Sequence, residues 1–187
     1  SFSNQTSLNE LMRKQFLGSN NAPIKIKEFF SLTCGHCSNF HIKTLPQLKK
    51  KYIDTGKVQL EFIDYPLDRL AVIAATLARS IPTKDGYVEA VSILLKKQKQ
   101  WAYSKNPLNE LQSIAKLFGI SSKKFNDISQ NIPLMQEIVT KMEKEAKNFD
   151  INSTPTFIVN DKYKISGALS FKDFEKELLK SINAKKS

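Results

Sequence analysis

Glu28-Phe29-Phe30-Ser31-Leu32-Thr33-Cys34-Gly35-His36-Cys37 is the stretch on which the reading of this chain turns. Ahead of it, Ile24-Lys25-Ile26-Lys27 alternates apolar and polar and then runs into Phe29-Phe30, the pattern of a strand with one end deep in a core. A helical pattern begins at the thiols. Cys34 and Cys37 are the only 2 cysteines of 187 residues, so their chemistry must be found between them.

A Cys-x-x-Cys at the start of a helix sets the first sulfur beside unpaired backbone N–H groups and the positive end of the helix dipole, which favours thiolate over thiol. Cys34 is therefore read as the attacking sulfur. Cys37, one turn on, is close enough to close a disulfide and release a partner from a mixed disulfide. His36 stands where a protonated or donating imidazole adds to thiolate stabilisation. A depressed Cys34 pKa makes its disulfide an oxidising one.

Other uses of the pair are weaker. A zinc set can be drawn through Cys37-x-x-x-His41, but a structural site wants four ligands from two knuckles, and the chain has 2 histidines and no second cysteine pair. His41 reads more simply as a helix-face residue. A purely structural disulfide closing so short a loop contributes little closure entropy. Metal is therefore not expected, although copper held by the same two soft ligands remains a non-enzymatic alternative.

The net charge of +11 raises nucleic acid or an anionic membrane surface. Only Arg13, Arg69 and Arg79 among 29 basic residues are arginine, whereas phosphate readers favour the bidentate guanidinium. The lysines lie scattered over helix faces among acids, which reads as a solvated basic surface suited to acidic or unfolded clients, with no nucleic acid. No apolar run approaches the roughly 18 residues of a membrane span. The start at Ser1-Phe2-Ser3-Asn4 reads as a mature chain from which a targeting segment has been removed.

Along the chain, Ser7-Leu8-Asn9-Glu10 is a capping box opening a short helix over Ser7–Leu17. The helix begun at Cys34 is expected to run to Ile53 with a kink at Pro46. Val58–Ile63 alternates as a second strand of a β-α-β unit. From Pro66 to Phe149 the spacing is helical throughout, with Trp101 as a packing residue. Thr156–Asn160 and Lys162–Ser166 form a hairpin at Asn160-Asp161, and Ser170 caps a last helix. The two ends must pair to complete one α/β sheet.

That layout, with Asn21-Ala22-Pro23-Ile24 ahead of Glu28 to Cys37, resembles the DsbA-like thiol:disulfide oxidoreductases over essentially the whole chain. The resemblance implies a thioredoxin fold (23–65 and 150–187) interrupted by a helical domain (66–149), behind an N-terminal segment (1–22). It implies that Glu28 is a buried acid relaying protons to Cys37. It also implies that Ser153-Thr154-Pro155-Thr156-Phe157 is a cis-proline loop facing the thiols, with Thr154 and Pro155 pairing to an extended client. Without the family, Glu28 could face solvent and Thr154-Pro155 could be a turn into a strand.

Gly35-His36 resembles the protein disulfide isomerase dipeptide, and Thr154 before the proline is more like the DsbC isomerases. Both lean toward isomerisation, with DsbA-type oxidation as the alternative. The resemblance implies exported client proteins in a bacterial periplasm, a membrane redox partner and no cofactor. Kappa-type glutathione transferases are similar in fold but generally lack paired thiols. The capped N-terminal helix reads equally as the stub of a segment making a homo-oligomer or as the first helix of a monomer.

Overall fold

The computed structural model describes residues 6–186. Ser7 caps α1 (Leu8–Leu11), its hydroxyl accepting from the Glu10 N–H at 3.2 Å. The helix expected to continue to Leu17 stops there. Gln15–Leu17 instead form β1, antiparallel to the strand at Val58–Asp64, with Phe16 opposite Glu61. Gly18 explains the change: its φ is +96°, and a Cβ there would lie 2.6 Å from the Val58 carbonyl oxygen. The chain is thus pressed against a strand, where its backbone groups find partners.

Ile24–Phe30 form β2, which pairs in parallel with β3 (Val58–Asp64), Glu28 lying opposite Phe62. Between them the expected continuous helix is broken into α2 (Gly35–Lys43), α3 (Leu45–Leu48) and a π-helical turn over Lys49–Ile53. Pro46 cannot donate to the preceding turn, and it sits near the start of α3, where a missing N–H costs nothing. Thr44, at the junction, donates from its hydroxyl to the Leu169 carbonyl at 2.6 Å.

Six helices follow: α4 (Arg69–Ser80), α5 (Gly86–Lys96), α6 (Gln98–Trp101), α7 (Pro107–Lys116), α8 (Ser122–Ile128) and α9 (Ile132–Phe149). Trp101 is fully buried and donates from Nε1 to the Leu94 carbonyl at 2.8 Å. The chain then re-enters the sheet as β4 (Thr156–Val159) and β5 (Tyr163–Ser166), and closes with α10 (Phe171–Lys186). Asn160 and Asp161 take positive φ at the hairpin, and the Ser170 hydroxyl accepts from the Asp173 N–H. The strand order is β1-β3-β2-β4-β5, with β4 antiparallel to both neighbours.

Strand alternation sorts the sheet's two faces. Ile26, Phe30, Leu60, Phe62 and Phe157 point into the main core, whereas Phe29, Ile63 and Ile158 pack with Ile151 and Phe149 on the other side. Every residue of β3 is buried, as a central strand covered on both faces requires. Phe40 of α2 meets Phe157 and Phe174 at ring-centroid distances of 4.5 and 5.5 Å, fixing α2 against β4 and α10. Among the described residues no helix is long and apolar enough to cross a membrane.

Candidate active site

Cys34 is the N-cap of α2: its backbone is extended, and its sulfur accepts from the Cys37 N–H at 3.3 Å. A sulfur thus occupies the place a serine or aspartate oxygen would normally take, and it gains most if it is charged. The Cys34 pKa falls from 9.0 to about 5. The Cys37 thiol is the largest cause, followed among the lowering effects by the Thr154 side chain and the N–H groups of Cys37 and His36, against an opposing cost of burial.

Cys37 is the opposite case. It has no exposed surface, and burial, then the adjacent Cys34 sulfur, drive its pKa far upward. Glu28 adds to that rise through its charge. One thiol is therefore poised as a thiolate and its neighbour is held neutral, the division of labour that dithiol exchange needs.

His36 lies at the exposed edge, and its contribution to the Cys34 thiolate comes through its backbone N–H. The Thr154–Pro155 peptide is cis, and the Cys34 thiol lies 3.7 Å from the Thr154 carbonyl oxygen, to which it donates. Thr154 Oγ1 is buried with no nitrogen or oxygen partner. The loop across from the thiols thus offers an accepting carbonyl and a hydroxyl whose effect falls on the Cys34 sulfur.

Glu28 is fully buried on the core-facing side of β2. Its Oε2 lies 2.7 Å from His41 Nε2, a hydrogen bond inside the core, and its Oε1 has no partner. His41, read from the sequence as a helix-face residue, lies on a buried face of α2: it is 7 % exposed and engaged with Glu28. Four residues on from Cys37, it shares the face of α2 that points at β2.

Three further side chains belong to this site and were not singled out from sequence. Gln98 on α6 is buried and donates to the carbonyls of Leu32 and Cys34. Asp68 caps α4 with one oxygen and accepts from the Thr33 hydroxyl with the other, at 2.8 and 3.1 Å. Tyr103 is exposed, and its hydroxyl would lie 3.5 Å from a Cβ placed on Gly35. None carried a sequence signal: Gln98 sits among Lys96, Lys97, Lys99 and Gln100, where one more polar residue does not stand out, and its partner is 64 positions away.

Comparison with known proteins places these features in a family setting. The family described as Thioredoxin matches residues 11–180. A Rickettsia conorii protein named, by inference, protein-disulfide oxidoreductase is 32% identical over 144 residues, which is 77% of this chain and 52% of that protein. The chain spans about half the length of the Rickettsia relatives it matches. A Bacillus anthracis protein named, also by inference, disulfide bond formation protein D is 29% identical over 177 residues, 91% of this chain and 77% of that protein. The crystal structure of Wolbachia pipientis alpha-DsbA1 matches with a TM-score of 0.81 at 31% identity, covering 93% of this chain and 95% of that one.

Proposed function

This chain belongs to the DsbA-like family of the thioredoxin superfamily, and from that premise we propose that it is a thiol:disulfide oxidoreductase acting on exported proteins through Cys34 and Cys37. The observation that carries the reading is the Cys34 sulfur at the cap of α2, ionised from about pH 5 upward beside a Cys37 kept neutral. The Cys34 thiolate attacks a client disulfide, one client sulfur leaves as thiolate, and a mixed disulfide forms. Cys37 then attacks Cys34, the client's second sulfur leaves, and the two electrons reside on the reduced client. Run backwards, the same steps oxidise a client dithiol.

The remaining roles belong to the same proposal. The N–H groups of His36 and Cys37 hold the charge on Cys34, and Glu28 exchanges protons with Cys37. Thr154 and Pro155 present a backbone carbonyl beside the thiols to an extended client strand. Export into an oxidising compartment, most specifically a bacterial periplasm, and a membrane protein that resets the thiols complete the proposal.

Two directions stay within it. Gly35-His36 and Thr154 lean to isomerisation, in which Cys34 attacks wrong disulfides and is released without net redox change. The depressed Cys34 pKa favours oxidation, because it stabilises the reduced protein and makes the Cys34–Cys37 disulfide an oxidant. Reactivation of scrambled ribonuclease in a glutathione buffer, with a Cys34→Ser control, tests both. Cys34-dependent reactivation supports isomerisation, and rapid oxidation of a reduced dithiol peptide without reactivation supports oxidation. Neither activity would sink the proposal.

A further inference from the structure

α2 and β2 face each other with three polar side chains in an otherwise aromatic layer. Cys37 and His41 stand four residues apart on α2, and Glu28 on β2 meets His41 at 2.7 Å while its charge acts on Cys37. The imidazole is walled by Phe30, Phe40 and Phe62, each with its ring centroid 5.9 Å away. Among the described residues its one hydrogen bond is to Glu28. His41 also lines a cavity of about 230 Å³ shared with Leu17, Pro46, Lys49, Ser92 and Lys96. No residue of the thiol loop or of the Thr154–Pro155 loop lines that cavity.

We propose that His41 is the second station of a proton path leading from Cys37 through Glu28 to solvent in this cavity, away from the surface where a client would dock. The proposal rests on the dithiol-exchange reading above and deepens it. A client seated over Cys34 covers the thiols at the moment when Cys37 must lose or gain a proton. Cys37 is already fully buried, and an ionised sulfur there is costly. A path that opens elsewhere lets the proton move while the client is bound.

In the resolving step the Cys37 proton passes to Glu28, crosses the hydrogen bond to His41 Nε2, and leaves the other ring nitrogen for solvent. The Cys37 thiolate attacks the Cys34 sulfur, the Cys34–client bond breaks, and the client sulfur departs as thiolate. One proton reaches solvent and the two electrons stay with the client. In client oxidation the same proton travels inward. The unpaired Glu28 Oε1 is the oxygen free to take the proton from Cys37.

The titratable and charged groups facing this path are Cys34 and Cys37 on α2, Tyr87 on α5 with Asp64 and Arg79 behind it, and Lys49 and Lys96 beside the cavity. His41 touches neither Cys34 nor client, so it is a positioning residue acting through Glu28.

Ellman's reagent separates the two steps at 412 nm. Cys34 attack releases the first thionitrobenzoate, and resolution by Cys37 releases the second. His41→Gln, which keeps an amide N–H for Glu28, should leave the first phase unchanged. It should slow the second by roughly 10-fold or more near pH 7, with the gap closing as hydroxide takes over at high pH. Glu28→Gln/His41→Gln should be no slower than Glu28→Gln alone, and added imidazole should restore the second phase of His41→Ala. A His41→Gln second phase matching wild type from pH 6 to 9 overturns the proposal, as do effects of His41→Gln and Glu28→Gln that multiply. A wild-type protein lacking the rapid first phase would instead overturn the exchange reading, and the proton path with it.

Discussion

Gln98 Nε2 donates to the carbonyl oxygens of Leu32 and Cys34, at 2.8 and 2.9 Å, so a side chain of the helical block holds the thiol loop from either side of Thr33. Ser38 reinforces the same junction, its hydroxyl donating to the Leu95 carbonyl at 2.6 Å. The helices between β3 and β4 therefore fix the backbone conformation that lets Cys34 cap α2. Gln98→Leu fills the space but strands two buried carbonyls, at a cost of about 2–3 kcal/mol. Urea unfolding of the reduced protein should show that loss, and the thiolate absorbance at 240 nm should titrate at higher pH than in wild type. Unchanged values of both would remove Gln98 from the site.

The two thiols give the reduced protein a stability that depends on pH, and the signs differ. Cys34 ionises more easily folded than unfolded, so its contribution is fully present above the unfolded value of 9.0 and is lost as pH falls toward about 5. Cys37 ionises less easily folded, so its contribution is full below the unfolded value of 9.0 and declines as pH rises past it. The oxidised protein has neither group. Urea midpoints of the reduced form minus those of the oxidised form should rise from pH 5 to 9 and fall beyond it. A flat difference over pH 5 to 9 would contradict the depressed Cys34 pKa.

Thr154 tests the other side of the thiolate. Its side chain is second to the Cys37 thiol among the effects that lower the Cys34 pKa, and Oγ1 has no competing partner. Thr154→Val keeps the shape and removes the hydroxyl. The Cys34 midpoint should move up from about 5, and the disulfide should become less oxidising in a glutathione equilibrium, because the reduced form loses its stabilised thiolate. The cost in folding stability should be small, since a buried hydroxyl without an oxygen or nitrogen partner is being replaced by a methyl group. A midpoint that stays at the wild-type value would assign the thiolate to α2 alone.

The sheet, the thiol pair and the last hairpin were legible because each rests on local pattern: alternation in Ile24–Phe30, the Cys-x-x-Cys spacing, Asn160-Asp161 between two short strands. The inward place of Glu28 was also within reach. It falls in register with Ile26 and Phe30, while Lys25 and Lys27 occupy the other parity. Its partner was not, because the Glu28–His41 bond joins a strand to a helix, and a histidine on a mixed helix face has no sequence mark of burial. β1 was lost for a similar reason: a three-residue strand defined by a β3 partner more than forty positions on carries too little alternation to outweigh a capping box just before it. Gln98, Asp68 and Tyr103 reach the site through the helical block, whose docking on the thiol loop no local pattern encodes.

Arg79 and Asp64 make the strongest purely structural claim. The guanidinium Nε lies 2.9 Å from Asp64 Oδ2, and Nη1 donates to the carbonyls of Leu11 and Arg13 at 3.0 and 2.9 Å. Tyr87 completes the cluster by donating to Asp64 Oδ1 at 2.8 Å. Arg79 is thus a pin joining the end of β3, α4 and the turn after α1. Arg79→Met should cost about 3–5 kcal/mol, since it leaves the Asp64 carboxylate buried and unpaired and frees two carbonyls. Asp64→Asn/Arg79→Met should recover part of the loss by neutralising that carboxylate while an amide oxygen still accepts from Tyr87. Hydrogen exchange should rise at Gln15–Leu17 in both variants, because the turn that delivers β1 to β3 is no longer held. If the double variant is as unstable as the single one, the free carbonyls of Leu11 and Arg13 carry the cost, and the ion pair itself contributes little.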